Sequence, residues 1–201
     1  MTTDSTPSVV LTPEEGRSLI RLARLTIAER LNQSVDEDKQ HCLEEELQKP
    51  VFTYKCGTFV TLTKKGQLRG CIGSLGSNVS LVENIRQNAI SAAFQDPRFS
   101  PLTREEYHEV RIEVSVLTPP LPLRYDNADH LLDLLRPGTD GVILRKGGAS
   151  ATFLPQVWKQ LPRQEDFLSH LCLKAGLSAQ AWRRGNLEVE TYQVQYFEEE
   201  E

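Results

Sequence analysis

The side chains best suited to chemistry lie in one short stretch, Leu68-Arg-Gly-Cys-Ile-Gly-Ser74. Side chains of an extended chain alternate between faces, so we expect Arg69 and Cys71 on one face and Leu68 and Ile72 on the other. A guanidinium beside a thiol favours the thiolate, which is the nucleophilic form of cysteine. This spacing predicts that Cys71 is a nucleophile or redox thiol activated by Arg69.

The same stretch is rich in glycine, with Gly70 and Gly73 on either side of the thiol and Gly76 shortly after it. Glycine lets the backbone bend or be approached closely, and neighbouring N–H groups can then point at an anion. We therefore expect the backbone around Gly70 and Gly73 to hold an oxyanion or phosphate. The structural alternative is a glycine-bent strand with a small buried thiol.

Four cysteines occur, at positions 42, 56, 71 and 172, and no C-x-x-C pair is present. Disulfide frameworks are unusual in a chain of 201 residues, so four free thiols are expected. A redox pair between Cys56 and Cys71 is a separate hypothesis. His170 and Cys172 form an isolated H-x-C pair, which is not a zinc pattern, and no metal or cofactor is expected.

Composition describes a globular protein with a net charge of −5. Phosphate backbones are bound by clustered Lys and Arg, so nucleic acid is not the expected partner. No apolar run is long enough to cross a membrane, and the N-terminus does not resemble a signal peptide. The expected location is the cytoplasm.

The elements that position the thiol follow from capping and hydrophobic period. Capping boxes at Thr12, Ser80 and Thr103 predict helix starts, the first of them running to about Asn32. A turn at 64–67 predicts a hairpin that ends in the cysteine stretch. Residues 33–49 are expected to be a solvated connection.

Within residues 110–117, apolar and polar side chains alternate from Val110 to Val116. This pattern predicts a strand whose polar face carries Glu113 and Ser115. If this strand shares a sheet with Cys71, the thiol, hydroxyl and carboxylate converge. Glu113 is then the expected general acid or base, or the group that orients Arg69.

Later segments predict a short helix over 128–136, a hairpin around Gly147-Gly148 and a helix over 165–173. A final strand changes apolar phase near Glu190, which predicts a bulge or a boundary there. Hairpin connections favour an α+β fold: an antiparallel sheet flanked by helices, with a smaller satellite subdomain.

Six segments in order resemble the AMMECR domain family (protein A of the AmmeMemoRadiSam type). They are Gly57–Thr63, Leu68–Gly73, Asp96–Phe99, Ile112–Leu117, Phe153–Val157 and Lys174–Leu177. The resemblance implies a single domain over 12–198, with loose tails at 1–11 and 199–201.

Carried over by position, the resemblance implies a catalytic pair, Cys71 and Glu113. It also implies a set of binding residues: Arg69, Gly70, Gly73, Asp96, Arg98, Ser115 and Lys174. In prokaryotes it implies functional linkage to a radical-SAM-type protein and a MEMO-type dioxygenase-like protein. The family often has His-Gly where this chain has Asp140-Gly141, so a mechanism based on that histidine is not expected here.

Three functions are compatible with these features. The first is an enzyme or enzyme subunit that uses Cys71 on a small or modified substrate. The second is a binding or adaptor module that presents a substrate to partner enzymes and tolerates loss of the thiol. The third, a nucleic-acid-associated protein, fits the acidic composition least. The four histidines (His41, His108, His130 and His170) lie outside the matched segments and are not expected to be catalytic.

Overall fold

The computed structural model describes residues 10–184 and 186–199, which form two compact units. The first unit contains the chain up to Leu117 and the segment from Gln195 onward, and the second contains Thr118–Val194. The α-helices are α1 (Pro13–Arg30), α2 (Glu37–Glu46), α3 (Leu81–Phe94), α4 (Arg104–Tyr107), α5 (Ala128–Leu134) and α6 (Gln164–Lys174). The strands are β1 (Thr58–Lys64), β2 (Gln67–Ser74), β3 (Val110–Leu117), β4 (Leu121–Pro122), β5 (Gly141–Lys146), β6 (Ala149–Phe153), β7 (Glu188–Tyr192) and β8 (Val194–Glu198). Three 310 helices lie at Pro50–Thr53, Pro155–Lys159 and Ala181–Arg184.

The first unit is built on an antiparallel sheet with strand order β2-β1-β3-β8. Helices α1 and α3 pack against it because the apolar side chains of the strands recur with period two and share one face. Their buried partners on the strands are Val60, Leu62, Ile112, Val114 and Val116. We call this side the core face and the opposite side of the same sheet the outer face.

A β-bulge in β2 sets which residues occupy the outer face. Thr63 pairs with Leu68, whereas Leu62 pairs with Gly70, so Arg69 is an extra residue in the β1–β2 ladder. An inserted residue shifts the side-chain phase by one. The expectation that Leu68 and Ile72 share a face is therefore wrong: Leu68 is on the outer face, 44% exposed, whereas Ile72 packs against the core.

Gly70 lies where strand β2 meets helix α3. A Cβ atom on Gly70 would stand 2.2 Å from the carbonyl oxygen of Ala92. The absence of a side chain is thus required for the close approach of strand and helix.

The second unit contains an antiparallel sheet of order β4-β7-β5-β6, beside helices α5 and α6. Its core is aromatic: the rings of Trp158 and Phe167 stack with centroids 3.7 Å apart, and Trp182 is fully buried. The Nε1–H of Trp158 donates to the carbonyl of Asp140 at 2.7 Å. This hydrogen bond satisfies the polar atom of the Trp158 side chain.

The α+β class and the antiparallel pairing of the strands agree with the sequence prediction, which described one sheet where the structure has two. Residues 33–49 differ from it, because Asp36 caps a regular helix, α2. Only Leu43 of that helix is buried, so the helix has almost no apolar stripe to reveal it. The phase change near Glu190 corresponds to a break at Gln193 between β7 and β8.

Two residues assigned to loose tails are held in place. Leu11 is buried, and its N–H donates to Gln195 Oε1 at 3.0 Å. Glu199 accepts hydrogen bonds from Arg24 and from the backbone N–H of Ile112. The remaining tail residues, 1–9 and 200–201, lie outside the described residues.

Across residues 10–184 and 186–199, no helix combines the length and the apolar character needed to cross a bilayer. Over the same ranges, His, Cys, Asp and Glu side chains nowhere gather in threes with a geometry that could hold a metal ion.

We predict that Gly70→Ala destabilises the first unit by about 2 kcal/mol, because strand β2 must move away from Ala92. Gly76→Ala is the matched control: a Cβ there meets open space, so stability should be unchanged or rise by up to ~1 kcal/mol. Urea unfolding of both variants measures the difference. Equal stabilities would show that the close approach is unimportant.

Candidate active site

Cys71 lies on the outer face of the first sheet, directly opposite Thr61 of β1. Its backbone N–H and carbonyl both bond away from β1, to Asp96 and Arg98. Cys71 and Thr61 therefore form a non-hydrogen-bonded pair, the arrangement in which facing side chains come closest. The hydroxyl of Thr61 accordingly donates to the Cys71 sulfur at 3.3 Å.

Asp96 and Arg98 hold the open edge of β2 at the cysteine. Asp96 Oδ2 accepts the Cys71 N–H at 2.9 Å, and Arg98 Nη2 donates to the Cys71 carbonyl at 3.1 Å. Between them the two side chains form a fork of two bonds, Nε to Oδ1 at 2.9 Å and Nη2 to Oδ2 at 2.7 Å. We call Cys71, Asp96 and Arg98 together the edge clasp. The hydrogen bonds from Arg98, aided by the Cys71 N–H, hold the pKa of Asp96 well below its usual range although its side chain is only 2% exposed.

Arg69 does not lie beside the thiol, which corrects the sequence prediction. Because Arg69 is the bulged residue, its side chain leaves the alternation of β2. Its guanidinium donates to Glu106 of α4, at 2.8 Å from Nη2 and 3.2 Å from Nε, and to the carbonyl of Ser100 at 2.9 Å. Arg69 therefore secures strand β2 to helix α4, and it lowers the pKa of Glu106 to about 2.

Phe99 joins the two arginines of this region. The Arg69 guanidinium lies 5.8 Å from the centre of its ring and that of Arg98 lies 5.5 Å from it. Both distances are within the range of cation–π attraction. The Asp96–Phe99 segment thus contacts the cysteine stretch at Arg69 as well as at Cys71.

The two glycines beside the thiol are used for packing. A Cβ on Gly73 would meet the Thr58 carbonyl at 2.2 Å and the Phe59 ring at 2.4 Å, just as one on Gly70 would meet helix α3. Close packing therefore explains why glycine occupies both positions, and no bound anion is needed to explain it. The oxyanion role expected for their backbone remains a prediction.

Glu113 and Ser115 share the outer face with Cys71, in agreement with the strand alternation. Thr61 pairs with Cys71 on one side and with Glu113 on the other, so these three side chains form a row across β2, β1 and β3. The Ser115 hydroxyl donates to Glu113 Oε1 at 3.3 Å. Two strand spacings separate Cys71 from Glu113, or about 10 Å between Cα atoms.

A cavity of about 460 Å³ opens at the β3 end of this row. That volume is within the range of small-molecule pockets. Besides Glu113, its lining includes Thr63, Arg111 and Glu198. Tyr196 of β8 also lies near Glu113. Burial raises the pKa of Tyr196, and the charge of Glu113 raises it further.

Lys174 belongs to the second unit. Its Nζ donates to the Thr152 carbonyl at 2.9 Å and lies 5.1 Å from the centre of the Phe153 ring. The Asp140 carboxylate, in the same unit, accepts hydrogen bonds from the backbone and side chain of Arg136 at 2.7–3.2 Å. Lys174 and Asp140 therefore both have hydrogen-bond partners within the second unit.

The four cysteines have different surroundings. Cys42 is exposed and Cys71 half-buried, whereas Cys56 and Cys172 are buried. Burial raises the pKa of Cys172, and it raises the pKa of Cys56 to about 11. Cys56 is packed in the core of the first unit, whereas Cys71 lies on the outer face of its sheet, and both thiols are free.

Sequence reasoning missed two residues that contact the motif, Thr61 and Glu106. A regular hairpin with a turn at 64–67 places Thr61 opposite Gly70, and only the bulge brings it opposite Cys71. Glu106 closes the capping box that begins at Thr103, and its carboxylate accepts the Thr103 N–H. Its second role, as the partner of Arg69, depends on how α4 packs beside β2.

We predict that Glu106→Gln destabilises the protein by about 1–3 kcal/mol at pH 7, because the charged guanidinium of Arg69 then faces a neutral amide instead of a carboxylate. Since the folded-state pKa of Glu106 lies below its ordinary value of 4.5, this stabilisation is complete above about pH 4.5. It is lost as pH falls toward 2.

Urea unfolding of wild-type and variant protein between pH 2.5 and 7 measures the effect, with the exposed Glu44→Gln as control. A stability difference that stays constant over this range would contradict the assignment.

This chain is similar in sequence to proteins of two archaea over nearly its whole length. A protein of Methanothermobacter thermautotrophicus is 41% identical, over 94% of this chain and 97% of its own length. A protein of Methanopyrus kandleri is 42% identical, over 95% of this chain and 91% of its own.

The fold is similar to the crystal structure of an uncharacterized protein from Pyrococcus horikoshii. The TM-score is 0.78 at 35% identity, and 94% of each chain is covered. The sequence model of the AMMECR1 family matches residues 20–197. The chain therefore belongs to the AMMECR1 family.

Proposed function

We propose that this chain is a cytoplasmic enzyme subunit that uses the Cys71 thiol on a small substrate bound at the outer face of the first sheet. The observation that carries the proposal is the row of Cys71, Thr61 and Glu113 side chains, with the Thr61 hydroxyl 3.3 Å from the sulfur. A thiol, a hydroxyl donor and a carboxylate are thereby held by adjacent strands on a face that helices α1 and α3 leave free.

Each member of the row has a chemical role in this proposal. A hydroxyl that donates to sulfur stabilises the thiolate relative to the thiol. The thiol first gives its proton to a base, and the thiolate then forms a bond to an electrophilic centre of the substrate. The leaving group departs from that centre with the bonding electron pair and takes up a proton. Glu113 is the carboxylate of the row and serves as general acid or base toward the far part of a substrate about 10 Å across.

Partner proteins complete the proposal. As the family resemblance implies, we propose that radical-SAM-type and MEMO-type partners supply or consume the substrate. We expect a mixture with either partner to elute earlier from a sizing column than the separate proteins.

A non-catalytic binding or adaptor module is the second candidate. The contacts of Arg69 favour it, because the guanidinium bonds to Glu106 and does not approach the thiol. The packing role of Gly70 and Gly73 also favours it. In this case the outer face binds the ligand and Cys71 is a packing residue.

Alkylation by iodoacetamide, followed peptide by peptide in the folded protein, separates the two candidates. If the thiol is functional, Cys71 should react at least ten times faster than the buried Cys56 and Cys172. Thr61→Val should slow the reaction of Cys71 about 2- to 10-fold, since one hydrogen bond to the thiolate is lost.

Thr63→Val is the matched control, because Thr63 lies on the same face of β1 opposite Leu68 and not opposite the thiol. Reaction of Cys71 only after unfolding would reject the thiol enzyme and leave the binding module.

A further inference from the structure

Within the described residues, the Arg98 guanidinium forms hydrogen bonds along one edge only. Its Nε and Nη2 bond to Asp96, and Nη2 also donates to the Cys71 carbonyl. Within the described part of the chain, no hydrogen bond is made by its Nη1. The bonds of the first edge fix the plane of the guanidinium, so the two N–H donors of Nη1 are held in place.

The Arg98–Asp96 pair has its positive end exposed. The Asp96 side chain is 2% exposed and the Arg98 side chain 53% exposed. An anion that arrives from solvent therefore meets the guanidinium and not the carboxylate. Arg98 Nη2 donates to the carbonyl of Cys71, so this charge lies against the backbone of the residue that carries the thiol. The hydrogen bonds to Asp96 raise the pKa of Arg98 above its ordinary value, so its positive charge is retained.

We propose that the substrate of Cys71 carries an oxyanion, a carboxylate or phosphate group, which binds to the Nη1 edge of Arg98 while its electrophilic centre faces the thiol. This inference rests on the proposed function and adds the class of substrate. Arg98 is then a specificity-determining residue: it binds the substrate through one edge and supports strand β2 through the other.

The charges around the thiol also orient the substrate. Glu113 lies on the β3 side of Cys71 and repels an oxyanion, whereas Arg98 lies on the open edge of β2. The anionic group therefore occupies the β2 edge, and the remainder of the substrate extends over Thr61 toward Glu113.

Two alkylating reagents of similar size test the proposal, because iodoacetate carries a carboxylate and iodoacetamide does not. The measured quantity is the ratio of their rate constants at Cys71, in the folded protein relative to the same cysteine in urea. We expect the ratio to be at least about 3-fold higher in the folded protein and to fall at high salt.

Arg98→Gln should return the ratio to its value in urea. Arg30→Gln is the matched control, since it removes the same charge from the exposed last turn of helix α1, and it should leave the ratio high.

Competition in the wild-type protein needs no variant and separates the two oxyanions. Inorganic phosphate that suppresses the iodoacetate reaction more strongly than acetate indicates a phosphate substrate, and the reverse order indicates a carboxylate.

An equal ratio in folded and unfolded protein would overturn the oxyanion proposal and leave a functional thiol. A Cys71 that reacts with neither reagent until the protein unfolds would overturn both proposals.

Discussion

The carboxylate of Asp96 on the backbone N–H of Cys71 is the contact on which the candidate site depends. Strand β2 is at the edge of its sheet, where an N–H and a carbonyl would otherwise face solvent. Asp96 and Arg98 take the place of a further strand at Cys71 alone, with one side chain accepting from it and the other donating to it. Because these two side chains also bond to each other, the edge clasp is a closed set of hydrogen bonds.

The edge clasp explains why two distant sequence motifs belong together. Pro97 ends helix α3, and the turn that follows carries Asp96, Arg98 and Phe99 to the edge of β2. There they contact the strand at Cys71 and at Arg69, whose side chain secures helix α4 through Glu106. The bulge at Arg69 brings the thiol opposite Thr61, and Gly70 lets helix α3 approach. Each part of the motif thus has a structural role that does not depend on catalysis.

Sequence reasoning succeeded where a pattern is local and regular. The alternation from Val110 to Val116 correctly placed Glu113 and Ser115 on the outer face, because nothing interrupts that strand. The same reasoning failed at Arg69, since an extra residue in a ladder changes the facing of every side chain beyond it and has no composition of its own. Helix α2 was missed for another reason: its side chains are nearly all polar, so its helical period is not visible. The pairing of Arg69 with Glu106 is a tertiary contact between separate elements, which no local pattern specifies.

Amide hydrogen exchange at Cys71 tests the edge clasp most directly. Gly73 is the internal reference, because strand alternation points its N–H to the same open edge. With Asp96 bound to it, the Cys71 amide should exchange at least ten times more slowly than that of Gly73, and Asp96→Ala should abolish the difference while β1 stays protected. A Cys71 amide that exchanges as fast as that of Gly73 in the wild-type protein would contradict the account.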